Sequence, residues 1–164
     1  TVRSVSNDEV RLAVQQLDRQ IRSGNVLYDP TLSGEYTPLG VGPGMALRIY
    51  TQANGEQRCV QWRVTGGHLE WRSWTADWTI DPPNRVSPWK IVAENVVNDA
   101  ASPAVPAFAL DTGSPEYGNR ITRLTFLTKQ GAGADRPARI EASIGGRNTQ
   151  YGYPTSVCDP MPAA

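Results

Sequence analysis

The sequence predicts an α+β fold: one long N-terminal helix packed on an antiparallel β-sheet of about six strands. Three observations carry this expectation. Apolar residues recur at helical spacing only within the first 24 residues. From Ala46 onward the pattern becomes an alternation of apolar and polar residues, in runs separated by glycine turns. The 164 residues include 15 Gly and 13 Pro, a turn-rich composition suited to short elements. A helix followed by a run of antiparallel strands is an α+β order. The length is that of one domain with an ordinary single core, spanning residues 1–164, with a helical part at 1–24 and a β-rich part at 45–164.

The helix is carried by Val10, Val14, Leu17 and Ile21, at steps of four, three and four, with Ala13 thickening the stripe. Arg11, Gln15, Asp18, Arg19 and Arg22 occupy the other face, and Asp18 and Arg22 are spaced to pair. Ser6 and Glu9 read as a capping box, which starts the helix near Asn7. Val2 and Val5 offer the alternative of a helix that runs back to the first residue. Gly24 reads as the C′ residue that ends it. Residues 25–44 are dense in turn signals (Asp29-Pro30, Ser33-Gly34, Pro38, Gly40, Gly42, Pro43, Gly44) and read as one long loop.

Strands follow at Ala46–Thr51, Gln57–Thr65 and His68–Thr75, joined by Asn54-Gly55 and Gly66-Gly67 turns, which makes an antiparallel meander. Trp62 and Trp71 fall on the apolar face of their strands; Trp74 has the opposite parity. Trp89 to Asn98 fits either a strand or a helical turn. Ala107 to Leu110 reads as a short strand. Arg120 to Lys129 is apolar on both faces, as in a strand buried on both sides. Ala138 to Ile144 reads as a half-exposed strand with Ile140 and Ile144 inward.

Lys+Arg and Asp+Glu are both 16, so the formal charge is zero and there is no global excess for phosphate neutralisation. Lys90 and Lys129 are the only lysines, which leaves 14 of those 16 cations as arginine. No segment approaches the ~20 apolar residues of a membrane span, and no signal-peptide pattern opens the sequence. On these grounds alone a soluble domain is expected. Cys59 and Cys158 have no CxxC partners, so zinc and thioredoxin-like chemistry are disfavoured. A disulfide between them is expected, tying the tail to a strand and requiring an oxidising compartment.

Catalysis finds little support. His68 is the sole histidine and sits in a glycine turn, without companions at ligand spacing, so it reads as an exposed turn residue. No GxSxG, HExxH or P-loop pattern is present. Asp111, Glu116 and Asp135 lack the spacing of a calcium loop and read as solvated acids. No cofactor is expected. Trp74, Trp78 and Trp89 form a candidate interaction surface, because a row of exposed aromatics can stack on sugars or bases.

Several segments, taken in order, resemble the soluble domain of type IV pilin-like proteins, nearest the minor pilins and J-type pseudopilins. They are Leu17-Asp18-Arg19-Gln20-Ile21-Arg22-Ser23, then Cys59-Val60-Gln61-Trp62-Arg63-Val64 with a Gly-Gly turn and Leu69 to Arg72. Trp89 to Val97 with Glu94-Asn95-Val96, Arg120 to Leu127, Arg139 to Ile144 and Arg147-Asn148 continue the series. The resemblance implies a pilin-like fold and a non-enzymatic filament subunit of a type IV pilus or type II secretion-like system. It also implies a membrane-spanning half-helix ahead of Thr1, continuous with Val2 and Val5, with cleavage by a prepilin peptidase. Partners would be other pilin or pseudopilin subunits, at the cell surface or outside the cell. DNA is a partner only in a competence-type machine. The long Cys59–Cys158 loop departs from the shorter two-cysteine loop usual in major pilins. The alternative is a secreted β-rich carbohydrate-binding module that uses exposed tryptophans.

Overall fold

A computed structural model describes residues 2–53, 55–80, 85–111, 121–129, 136–146 and 153–164. Helix α1 spans Val2–Arg22. It is followed by β1 (Gly24–Leu27), a short helix α2 (Ser33–Tyr36) and a 3-10 turn (Thr37–Leu39). The remaining strands are β2 (Ala46–Thr51), β3 (Arg58–Thr65), β4 (His68–Trp74), β5 (Lys90–Glu94), β6 (Phe108–Asp111), β7 (Ile121–Thr128) and β8 (Ala138–Gly145).

The α+β class holds, but the expected single sheet of about six strands does not. The described strands form a five-stranded sheet, β1-β2-β3-β4-β5, and a three-stranded sheet, β6-β7-β8. Every strand pairing within them is antiparallel. The sheets meet through the residues after β5. Val97 N–H donates to the Leu127 carbonyl at 2.8 Å, and Lys129 N–H donates to the Asn95 carbonyl at 2.9 Å. Asn98 fastens the turn beyond. Its Nδ2 donates to the carbonyls of Val105 and Thr125, and its Oδ1 accepts from Leu127 N–H. Asn98 is fully buried, so all three bonds run free of water competition.

Helix α1 lies across both sheets, touching β1, β2 and β5 of one and β7 and β8 of the other. Val10, Ala13, Leu17 and Ile21 join a core with Leu47, Ile49, Trp62, Leu69, Phe108 and Phe126; Val14 packs at its margin. The capping box is not formed, because Ser6 and Glu9 lie inside α1. Both are engaged in tertiary contacts instead. Ser6 Oγ accepts from Asn95 Nδ2 at 3.1 Å, and Glu9 Oε1 accepts from Glu94 N–H at 3.3 Å. Gly24 also differs from its expected role. It opens β1, and a Cβ there would come within 3.0 Å of the Ile21 carbonyl oxygen and of Leu27 Cδ2. Close packing, rather than a left-handed backbone, requires glycine at this position.

Residues 25–44 contain β1 and two helical turns, so the expected long loop is only partly a loop. The undecided Trp89–Asn98 stretch is a strand in its first half. β7 is buried on one face along Thr122, Leu124, Phe126 and Thr128, but exposes Arg123 on the other, so burial on both sides is confined to Leu127. β8 turns Ile144 inward with Ile140 half-buried, as its alternation indicates. Asn54, Pro82-Pro83, Glu116, Asp135 and Arg147-Asn148 lie outside the described residues.

Candidate functional site

The five-stranded sheet has two buried faces. α1 covers one. The C-terminal segment, residues 153–164, covers the other, where Val26, Tyr28, Tyr50, Cys59, Trp74 and Cys158 form a second core. Alternation places these residues. Cys59 and Gln61 point away from Val60 and Trp62, and all four are buried because both sides are occupied. Alternation fixes the parity of these residues but not their cover, since nothing in the irregular tail has a period.

Cys59 and Cys158 form the disulfide at the centre of this face. Disulfides persist in oxidising compartments, so the bond fits an extracellular or periplasmic location. Among the described residues no helix is long and apolar enough to cross a membrane.

Two arginines flank the disulfide. Arg48, on β2, grips Glu35 with a two-pronged pair of bonds at 2.9 and 2.7 Å. It also reaches Asp159 at 2.6 Å and the Cys158 carbonyl at 3.2 Å, and its guanidinium lies 3.8 Å from the centre of the Tyr28 ring. Burial on its own would weaken the Arg48 proton's hold. The hydrogen bonds to Glu35 and Asp159 outweigh it, and the pKa is raised. Arg72, on β4, is equally buried and has no carboxylate among the described residues. Its donors go to Gln61 Oε1 and to the carbonyls of Pro162 and Ala163. Burial, with Arg63 nearby, lowers its pKa to about 10.

The tryptophan surface is corrected by these contacts. Trp74 is fully buried beside the disulfide rather than exposed, because its face of β4 is the one under the tail. Trp78 is half-buried, and its Nε1 donates to the Pro160 carbonyl at 2.9 Å. Trp89 is half-buried, with the guanidinium carbons of Arg63 and Arg72 at 4.0 and 4.6 Å from its ring centre. The three do not form an open stacking row. Trp62 and Trp71 stack on the helix side with ring centres 5.6 Å apart.

His68 opens β4 rather than hanging in a turn, and its Nε2 lies 3.3 Å from Glu70 Oε2. Asp111 meets Arg123 at 3.2 Å. Among the described residues no cluster of three or more His, Cys, Asp or Glu side chains could hold a metal ion. A cavity of about 140 Å³ between the end of α1 and the β2–β3 hairpin is lined by Gln20, Thr51, Glu56, Arg58, Trp71 and Ser73. It has room for a few water molecules.

No protein-family model matches the chain, and no curated protein matches it.

Proposed function

We propose that this chain is a non-enzymatic structural subunit of an extracytoplasmic filament, of the minor pilin or pseudopilin kind, assembling through α1. The observation that carries this reading is the two-sided helix. One face of α1 is committed to the chain's own core. On the other, Val5 is 57% exposed and Leu12 65% exposed, in a helix otherwise polar on that side. They stand seven residues apart, which puts them on one line two turns along the helix. That spacing is the one helices use when they pack side by side. A helix held rigidly across two sheets can present this line to the helix of a neighbouring subunit. The reading expects an apolar stretch ahead of Thr1, with Val5 and Leu12 extending its packing surface into the globular domain. The ordered resemblance of the sequence to pilin-like proteins points the same way, and the disulfide suits the compartment.

The test is made in the producing cell with the whole protein. Val5→Asp and Leu12→Asp together should abolish incorporation into surface filaments, scored by immunogold electron microscopy, while the disulfide still forms and the thermal midpoint stays unchanged. Filaments that incorporate the double variant normally would refute the reading.

A further inference from the structure

The cavity of about 140 Å³ at the end of α1 is built by one chain and lies on the helix-facing side of the five-stranded sheet. Alternation puts Arg58 and Val60 of β3 on that side, with Trp71 and Ser73 of β4. Val60 stands opposite Ser73, and Thr51 closes β2 opposite Arg58. Gln20 reaches in from the last turn of α1, and Ala53 and Glu56 come from the hairpin.

The polar groups here have mostly donors to spare. Trp71 Nε1 is buried and has no hydrogen-bond partner among the described residues. Gln20 is buried, and its Oε1 accepts from Trp62 Nε1 at 2.7 Å. That bond fixes the orientation of the amide and leaves its NH2 group to donate. Ser73 Oγ accepts from Arg58 Nε at 3.2 Å and keeps its own hydroxyl proton. Thr51 gives its hydroxyl proton to the Gln20 carbonyl at 2.7 Å. Arg58 meets one carboxylate, Glu56, at 4.0 Å, and that side chain is 78% exposed. So long and solvated a pair leaves the guanidinium charge largely unanswered. A buried indole N–H without an acceptor is costly, so an acceptor belongs in this cavity.

The ligand class follows from the lining. Several donors beside a guanidinium suit a group that only accepts, and a carboxylate is such a group. Val60, Ala53 and the Trp71 ring suit a short apolar body. The volume is close to that of a cavity that takes one benzene ring, about 150 Å³. A more highly charged anion would be repelled by Glu56 at the hairpin. We propose that this cavity binds a small monocarboxylate, with its oxygens on Trp71 Nε1, Gln20 Nε2 and the Arg58 guanidinium and its alkyl part against Val60 and Ala53. Occupancy needs no assembly, because every lining residue belongs to the same chain.

The test uses the full chain with nitrogen-15 in its five tryptophan indoles. The indole N–H peaks are followed as sodium propionate is added at constant ionic strength and near-neutral pH, and Trp71→Phe assigns the peak of Trp71. The expected result is a saturable shift of that peak, complete by about 100 mM. Trp74 and Trp89 serve as controls and should stay still, since their Nε1 atoms also lack partners but they do not line the cavity. Propionamide, the uncharged counterpart, should give no saturable shift. Arg58→Gln should weaken propionate about tenfold or more, as for loss of a charge-assisted hydrogen bond. Glu56→Gln, an exposed change that spares the fold, should tighten it. The same carboxylate can arrive as a free acid or as a glutamate side chain, so a capped Gly-Glu-Gly peptide is titrated in parallel. Saturation by propionate supports the free acid; saturation by the peptide alone supports the side chain, and either upholds a carboxylate site. A Trp71 peak that stays flat with both ligands would overturn the proposal and leave water as the occupant. An equal response to propionamide in the unaltered chain would overturn it as well.

Discussion

Arg48 and Arg72 carry equal charges on one buried face and are neutralised by different means. Arg48 has two carboxylates and an aromatic ring, and so holds its proton more firmly than a free guanidinium. Arg72 has one amide oxygen, two carbonyls and the Trp89 ring but no carboxylate among the described residues, and burial, with Arg63 nearby, makes it hold its proton less firmly. Tyr28 and Tyr50 border the same face. Burial raises both phenols above their ordinary value of 10.0; the Arg48 charge opposes the shift at Tyr28, and Tyr153 adds to it at Tyr50. The sign for stability follows. In the unfolded chain these phenols ionise near pH 10, while the folded chain keeps them neutral. Their contribution is complete below about pH 10 and is lost as pH rises through the folded values. Arg72 acts in the opposite sense, because its folded value lies below that of a free guanidinium and the cost of burying its charge is relieved as it deprotonates. The Tyr28→Phe, Tyr50→Phe variant should therefore show a flatter loss of the urea midpoint between about pH 9 and 11 than the parent chain. An identical slope would show that neither phenol is shifted.

Within the elements, α1 divides its apolar residues between two tasks. Leu17 is fully buried and Leu12 is 65% exposed. Leu17→Ala should cost about 3 kcal/mol through lost burial and the cavity left behind. Leu12→Ala should stay within about 0.5 kcal/mol. Urea denaturation measures both, and the reverse order of effects would mean that the helix is docked the other way round. The period of Val10, Leu17 and Ile21 made this docking legible in the sequence. The alternation of β2, β3 and β4 was equally readable, because a two-residue period survives even where both faces are covered. β1 was not legible. Its four residues are too few to show a period, and Gly24 resembles a helix terminator when its close packing is unknown. The capping residues misled for a related reason. Ser6 and Glu9 have the spacing of a cap, but their partners Asn95 and Glu94 are more than eighty residues away. The division into two sheets was hidden likewise, because it depends on the link from Asn95–Val97 to β7 and on Asn98, contacts that no local pattern encodes. At the candidate site, the cysteine pair could be named from composition alone. Trp74 could not be placed, because parity says which side a residue faces and not what covers it.

For the whole molecule, the largest single constraint is the bond between Cys59 and Cys158, with a sequence separation of 99. Replacing both by serine should cost about 4–5 kcal/mol if the loss is mainly of unfolded-chain constraint. A urea series on the double variant measures it. A loss below about 1 kcal/mol would mean that the tail is held almost wholly by Arg48, Arg72 and Trp78 and that the bond is nearly redundant.

The position of that bond also fixes how the molecule carries force. A load applied between the two ends enters through α1, passes along the chain to Cys59, and crosses directly to Cys158. The covalent path bypasses residues 60–157, so these cannot be drawn out while the bond is intact, although α1 still bears on β5, β7 and β8 through its packing. Only the segments outside the covalent ring can be drawn out: α1, β1 and β2 with their connections on one side, and residues 159–164 on the other. Fully extended, the 58 residues before Cys59 reach at most about 200 Å. Under tension the chain would behave as a short tether on an inextensible ring, and withdrawing the helix would uncover the core residues of β7 and β8 that it packs on.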